Sequence, residues 1–176
     1  LVSTVLNFQT LSLSRGNDLP NVLYLPGYTA AAWYHQKLPA DLQQKPLTEV
    51  LAEVEKFAAG DYNAALLAGA GLSAEDRRSI VARLARYTGL PAELVDRLDL
   101  RIPLGRFSIE LLRAEDKVSG RFDSRYTGFV RDRAATALPG LFHDSLDDWG
   151  IDLAIVFPSV GLTLGRDIAD PELSNL

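Results

Sequence analysis

The side chains that could do chemistry are few in this sequence, and they do not cluster. The two histidines, His35 and His143, lie far apart along the chain and in unlike contexts. A metal site needs clustered ligands, for example two histidines at helical spacing with a carboxylate nearby. Neither histidine has a second one within reach in sequence, so we interpret each as a partly exposed or structural residue and predict no metal ligand.

The sequence shows no activated nucleophile. Asp123 precedes Ser124 in the string GRFDSRYTG, but a serine next to an aspartate in sequence is not a nucleophile with a base. There is no Gly-x-Ser-x-Gly elbow. The chain also has no cysteine, which excludes disulfides, thiolate nucleophiles and thiolate metal sites. We therefore predict no catalytic residue.

Neither a phosphate loop nor a catalytic pair of acids is predicted. The string GAG at residues 69–71 lacks the preceding strand and the lysine of a phosphate loop, and it fits the end of a helix better. The acid pairs Glu75 with Asp76 and Asp147 with Asp148 lie near helix starts or on solvent faces, where acids are ordinary. We predict no cofactor-binding residue and no cofactor.

Composition narrows the class of protein. The 176 residues are 47% hydrophobic and 23% charged, which is enough for one globular domain with a sizeable core. A net charge of −5 argues against nucleic acid as the main partner, because phosphate binding needs clustered Lys and Arg. No run approaches the ~18 apolar residues of a membrane span, so we predict no membrane partner, and the compartment stays open.

The first forty residues are predicted to hold a strand, a loop and a short helix. Residues 1–8 form an apolar, β-branched run that is typical of a buried strand. The string SRGNDLPN at residues 14–21 reads as a loop, and an alanine-rich helix is predicted from about Tyr28, after Pro26 and Gly27. The chain opens directly on the strand without a methionine, so we expect a fragment.

Residues 48–113 are predicted to form a small bundle of short helices. Apolar residues recur at three- and four-residue spacing from Thr48 until Gly60, which we expect to end the helix, and Asp61 can cap the next one. The bounds of the later helices are indicated by a capping box at Ser73 and Asp76, a stop at Gly89, Pro91 in a first turn, and the string SIELLRA at residues 108–114.

In the last third of the sequence the helical spacing of apolar residues gives way to other patterns. Residues 117–128 carry glycines and turn formers that favour a hairpin or an extended arm. The string LPGLFHDSLDDWG at residues 138–150 is an amphipathic helix, and IDLAIVFP at residues 151–158 is typical of a buried parallel strand. The predicted fold class is thus mainly α with a few short strands.

Residues 1–128 resemble the bacterial branch of the serine carboxypeptidases, which are α/β-hydrolases. The resemblance is carried by LVSTVLNFQTL, NDLPNVLYLPGYTAAAWYHQKL, LAEVEKFAAGDYNAALLAGAGL, VARLARYTGLPAELV, LRIPLGRFSIELLR and GRFDSRYTG, in this order and spacing. Gly27 departs from the pattern, where a serine is more usual.

This resemblance implies the helical cap that covers the active site of an α/β-hydrolase and shapes substrate access. In that family the catalytic serine precedes the strand that residues 1–8 resemble, and the Asp and His of the triad follow the arm that ends near Gly128. No triad residue is therefore expected in this chain. The family hydrolyses C-terminal residues from peptides, so peptide is the implied substrate of the parent protein.

From about residue 131 the string RDRAATALPGLFHDSLDDWGIDLAIVFPSVGLTLGRDIADPEL resembles the amidohydrolase-related family of metal-dependent hydrolases and decarboxylases. That family folds as a (β/α)₈ barrel, of which this segment would supply one helix–strand unit. Its metal ligands, a His-x-His pair and later His and Asp residues, have no counterpart here.

The stretch SRYTGFVRDRAATALP at residues 124–139 is thus predicted to join two domains, 1–128 and 129–176. Three hypotheses follow: a serine carboxypeptidase fragment without its triad, an amidohydrolase or decarboxylase fragment, and a non-catalytic helical module. A cap detached from its hydrolase core and a barrel unit detached from its neighbours would leave apolar faces uncovered unless the two pack on each other, so we expect self-association.

Overall fold

A computed structural model describes residues 7–10, 16–121 and 123–129, without the side chain of Phe8, and 67% of these residues are helical. The mainly α class is therefore confirmed. The α-helices of this part of the chain are α1 (Leu19–Tyr34), α2 (Ala40–Gln43), α3 (Leu47–Phe57), α4 (Asn63–Ala68), α5 (Ala74–Thr88), α6 (Ala92–Arg97) and α7 (Leu104–Glu110). Its strands are β1 (Lys117–Ser119) and β2 (Thr127–Phe129), and short 3₁₀ helices occupy Phe8–Thr10, Gly69–Gly71 and Arg113–Glu115.

Helix α1 is longer than the sequence predicts. It begins at Leu19, inside the predicted loop over residues 14–21, and not near Tyr28. Pro20 lies in the first turn, where its missing N–H costs nothing. Pro26 lies inside the helix, and packing outweighs its local cost, since Leu25 and Tyr28 on either side of it are 1% and 5% exposed.

The predicted stop at Gly60 and cap at Asp61 are wrong. The helical path continues from α3 through a π-helical turn, Ala58–Tyr62, into α4. A π turn repeats after about five residues, so Phe57 and Tyr62 fall on one face, where both are buried and their rings stack 5.9 Å apart. Asp61 makes no cap hydrogen bond and pairs with Arg83 instead.

Helix α5 has the bounds that the sequence predicts. The Asp76 amide donates to Ser73 Oγ at 3.0 Å, as a capping box requires. Gly89 ends the helix at φ +69°, the left-handed conformation that glycine adopts without strain. A Cβ at this position would also lie 2.8 Å from the Lys37 carbonyl oxygen.

The helix predicted with Pro91 in its first turn is present as α6, where Pro91 is the N-cap residue directly before Ala92. Helix α7 begins earlier than the predicted SIELLRA segment, at Leu104 directly after Pro103, and ends at Glu110. The residue before a proline disfavours the helical conformation. Ile102 therefore stays outside the helix, and α7 begins after Pro103. The expected bundle over residues 48–113 is present, and α1 packs on both α3 and α5, which the sequence did not predict.

Two buried hydrogen bonds connect Tyr28 and Tyr62 to the loop between α6 and α7, and we call this contact the polar seam. Asp99 and Leu100 adopt φ of +51° and +65°, a region unfavourable for residues with a Cβ. Tyr62 Oη donates to the Leu100 carbonyl at 2.6 Å, and Tyr28 Oη donates to the Ile102 carbonyl at 3.1 Å. Burial raises the pKa of both phenols, so the two hydroxyls stay protonated as donors.

The predicted hairpin over residues 117–128 is confirmed. Strands β1 and β2 pair antiparallel, with Val118 opposite Gly128. The predicted strand over residues 1–8 lies mostly outside the described residues, and it does not reach Phe8, where a 3₁₀ helix begins. The reason is Asn7, whose Oδ1 and carbonyl accept from the amides of Gln9 and Thr10, a turn that competes with extended structure.

The remaining predictions on the end of the chain fall outside the described residues. They are the helix at 138–150, the strand at 151–158, the domain 129–176 and most of the junction at 124–139. Within the described ranges, no helix is both long and apolar enough to cross a membrane.

Candidate functional site

Helix α1 presents an uncharged face to solvent. Its sequence, LPNVLYLPGYTAAAWY, contains no charged residue, and a helix that is apolar all round is usually buried. On one side, however, Leu23 and Tyr34 are 50% and 51% exposed. This face is an apolar surface, and self-association through uncovered faces stays a prediction.

The arm that connects β1 to β2 folds against the end of this helix. The Gly120 amide donates to the Tyr126 carbonyl at 2.8 Å, and the Tyr126 amide donates to the Asp123 carbonyl at 3.2 Å. Asp123 Oδ1 accepts from the Arg125 amide at 3.0 Å, which is the pattern of an Asx turn. These bonds fix residues 123–125 as a tight turn.

His35 ties this turn to α1. It follows the last residue of the helix, and its Nε2 lies 2.6 Å from the Ser124 carbonyl oxygen. Because a carbonyl can only accept, Nε2 carries the proton. The Ser124 hydroxyl makes no hydrogen bond with the described residues. His35 therefore contacts the backbone carbonyl of Ser124 and not its hydroxyl, so the two side chains are not arranged as a base and its nucleophile.

A cleft of about 310 Å³ lies between α1, the start of α3 and the turn at 123–125. Its volume is at the lower end of the ~300–1,000 Å³ range of small-ligand sites. The lining residues are Gly27, Ala30, Ala31, Trp33, Tyr34, Leu47, Asp123, Ser124 and Arg125. The walls are thus mainly apolar, and the ionised groups come from the arm alone.

The two ionised groups of the cleft form one ion pair. Arg125 Nε lies 2.9 and 3.0 Å from the two carboxylate oxygens of Asp123, and Nη2 also donates to Oδ2. The hydrogen bond from Arg125 holds the pKa of the Asp123 carboxyl below its usual range. Asp123 is therefore ionised at neutral pH and cannot serve there as a proton donor.

The sequence had singled out several residues that the structure places away from this cleft. Asp76 belongs to the cap of α5, with Ser73 Oγ 2.6 Å from its Oδ2, and Glu75 lies in the same first turn. The GAG string forms a 3₁₀ turn between α4 and α5, as expected for a segment that separates two helices. His143, Asp147 and Asp148 lie outside the described residues.

Sequence reasoning missed Arg125, Trp33 and Tyr34 as parts of one site. The available signal was the absence of charge along the whole of residues 19–34, which predicts a face that needs a cover. What the sequence could not show is that residues 123–125, about ninety positions later, fold onto the end of that helix.

Within the described ranges, no three or more His, Asp or Glu residues lie together as a group that could hold a metal ion. No family model, no curated protein and no solved structure matches this chain. The class that the fold defines is a mainly α-helical bundle that carries a β-hairpin arm.

Proposed function

We propose that residues 1–128 belong to a hydrolase of the serine carboxypeptidase type and supply its helical cap. In this role the bundle covers an active site and contacts the peptide substrate, and it supplies no nucleophile. The observation that carries the proposal is the cleft, because all of its lining residues except Leu47 lie in two strings of the resemblance, residues 17–38 and GRFDSRYTG.

The geometry of the cleft supports a binding role over a catalytic one. His35 Nε2 is engaged by the Ser124 carbonyl, so this nitrogen cannot take a proton from the serine hydroxyl. Asp123 is held by Arg125 and does not orient a histidine. A nucleophile, its base and the group that orients the base would each have to come from elsewhere.

The polar seam supports a cap that keeps its shape. Tyr28 and Tyr62 donate to the loop before α7 from two different helical segments, and these buried bonds join α1 and the π turn to one loop. A bundle fixed in this way can hold the cleft open while substrate enters and leaves.

Two measurements test the proposal. A fluorophosphonate probe for activated serines should leave this chain unlabelled, and stoichiometric labelling would contradict a non-catalytic cap. The coding sequence directly upstream of the Leu1 codon should encode a serine elbow of the Gly-Glu-Ser-Tyr type. If that sequence encodes no such elbow, the carboxypeptidase origin is wrong.

A further inference from the structure

A groove of about 460 Å³ lies between helices α5 and α6, which pack against each other. Its apolar lining consists of Ala74, Val81 and Ala82 from α5 and Ala92 from α6. Val81 is only 8% exposed, and the three alanines have no side chain beyond Cβ. Because the distance between packed helices depends on the side chains at their contact, another helix can approach this apolar floor closely.

The two walls of the groove carry opposite charges. Helix α5 contributes Arg77 and Arg78, and helix α6 contributes Glu93 and Asp96. Arg77 Nε donates to Asp96 Oδ1 at 2.7 Å, and Arg77 Nη2 donates to the Asp96 carbonyl at 2.9 Å. These bonds join the two helices and set their spacing. The groove is therefore formed before a partner binds, so binding requires little ordering of the chain.

Arg78 and Glu93 are the two charged residues of the groove that the fold leaves unpaired. Both residues are exposed, and neither makes a hydrogen bond or an ion pair with the described residues. They line the groove from different helices and do not pair with each other. One unpaired cation and one unpaired anion thus border the same apolar floor.

We propose that this groove binds a second copy of the chain, with Arg78 of each subunit against Glu93 of the partner subunit. A two-fold interface needs a surface that complements itself, so that residue i contacts residue j and residue j contacts residue i. The groove has this property, because the charge that a partner must supply to each wall is already present on the other wall. The inference does not rest on the proposed function, since a missing serine elbow upstream of Leu1 would leave the dimer unchanged.

The charges also select the orientation of the two subunits. A two-fold axis along the groove places α5 of one subunit over α6 of the other, so each arginine meets a glutamate. An axis across the groove would place α5 over α5 and bring two Arg78 side chains together, which like-charge repulsion disfavours. An interface of two short helices per subunit is smaller than the ~1,200 Å² at which stable complexes begin. We therefore expect a weak dimer.

The test reverses the charge at each of these two positions in the full chain. Sedimentation velocity over micromolar to millimolar concentrations should show a concentration-dependent dimer of the parent chain. Arg78→Glu and Glu93→Arg should each weaken this dimer at least about tenfold, because either homodimer would then contain two contacts between like charges. A parent chain that stays monomeric over the whole range would overturn the proposal, and so would folded single variants that dimerise like the parent.

Mixing the two single variants gives the sharpest measurement. In a heterodimer of Arg78→Glu with Glu93→Arg, both contacts again join a carboxylate to a guanidinium. The equimolar mixture should therefore dimerise about as tightly as the parent chain, and native mass spectrometry should identify the heterodimer by its mass. Circular dichroism checks first that each variant is folded. A mixture that associates no better than either variant alone would contradict the pairing of Arg78 with Glu93.

Two control variants carry the same changes of charge outside the groove. Lys56→Glu reverses an exposed cation on α3, and Glu49→Arg reverses an acid in the first turn of α3, just as Glu93 lies in the first turn of α6. Both controls should dimerise like the parent chain. Leu23→Glu, on the exposed face of α1, should also leave the dimer intact. If any of these three variants loses the dimer while Arg78→Glu keeps it, the groove is not the interface.

Discussion

Arg101 and Arg125 both pair through Nε and Nη2 with an aspartate, but they use the rest of the guanidinium differently. Arg101 donates to both oxygens of Asp18 at 2.7 and 2.8 Å, and its Nη1 donates to the carbonyl and the carboxylate of Asp99 at 3.0 Å. Arg125 donates to Asp123 alone within the described residues. The fold thus uses all three nitrogens of Arg101, whereas Nη1 of Arg125 has no hydrogen-bond partner among the described residues and the Arg125 side chain is 66% exposed.

The sequence separation of the two pairs explains this difference. Asp18 lies 83 residues before Arg101, so their pair joins the start of α1 to the loop after α6. That loop contains the unfavourable conformations of Asp99 and Leu100, which persist only where the surroundings hold them. Asp123 lies two residues before Arg125, and such a local pair closes no long loop. The first pair therefore joins distant parts of the fold, and the second holds only the local turn at residues 123–125.

The largest expected effect is a loss of packing beside the seam. Phe107 is 1% exposed and stacks on Tyr28 with ring centroids 4.2 Å apart. Phe107→Ala should lower the free energy of unfolding by about 3–5 kcal/mol, because it removes buried surface and leaves a cavity. Urea denaturation measures this. The control at the cleft is Tyr34→Ala, which should cost about 0.5 kcal/mol or less since Tyr34 is half exposed. Similar losses for both variants would contradict the distinction between seam and cleft.

The two arginines provide a smaller and more direct test. Arg101→Met keeps most of the side-chain volume but removes the bonds to Asp18 and Asp99, and it should cost about 1–2 kcal/mol, a value reduced by the partial exposure of the pair. Arg125→Met should change stability by no more than about 0.5 kcal/mol. Chemical denaturation of both variants checks the order. An Arg125→Met variant as unstable as Arg101→Met would show that the arm is part of the fold.

Local signals predicted the elements that local chemistry controls. The Ser73 cap, the end of α5 at Gly89 and the hairpin over residues 117–128 all follow from residues within a few positions of each other. Prediction failed where packing outweighed a local signal. Pro26 and Gly60 usually interrupt helices, but Tyr28 and Tyr62 beside them are buried, and that burial keeps the helical path.

The candidate site was predictable only in part. His35, Asp123 and Ser124 attracted attention as residue types, and the prediction that none of them is catalytic stays a prediction. The contact of His35 with residue 124 spans 89 positions and leaves no periodic trace. Which edge of the Arg125 guanidinium Asp123 occupies is a property of geometry that residue types do not encode.

The smallest expected effect concerns a glycine that the fold does not need. Gly27 lies inside α1 without a positive φ, and no atom stands within 4 Å of where a Cβ would be. Gly27→Ala should raise the free energy of unfolding by about 0.5–1 kcal/mol, because alanine loses less backbone freedom in a helix. Thermal denaturation measures the gain.

Gly89 is the matched glycine of opposite expectation, since its φ is positive and a Cβ there would collide with Lys37. Gly89→Ala should destabilise the chain by about 1–3 kcal/mol. If Gly27→Ala were destabilising as well, the space over Gly27 would not be open, and the two glycines would not differ as their φ angles and surroundings predict.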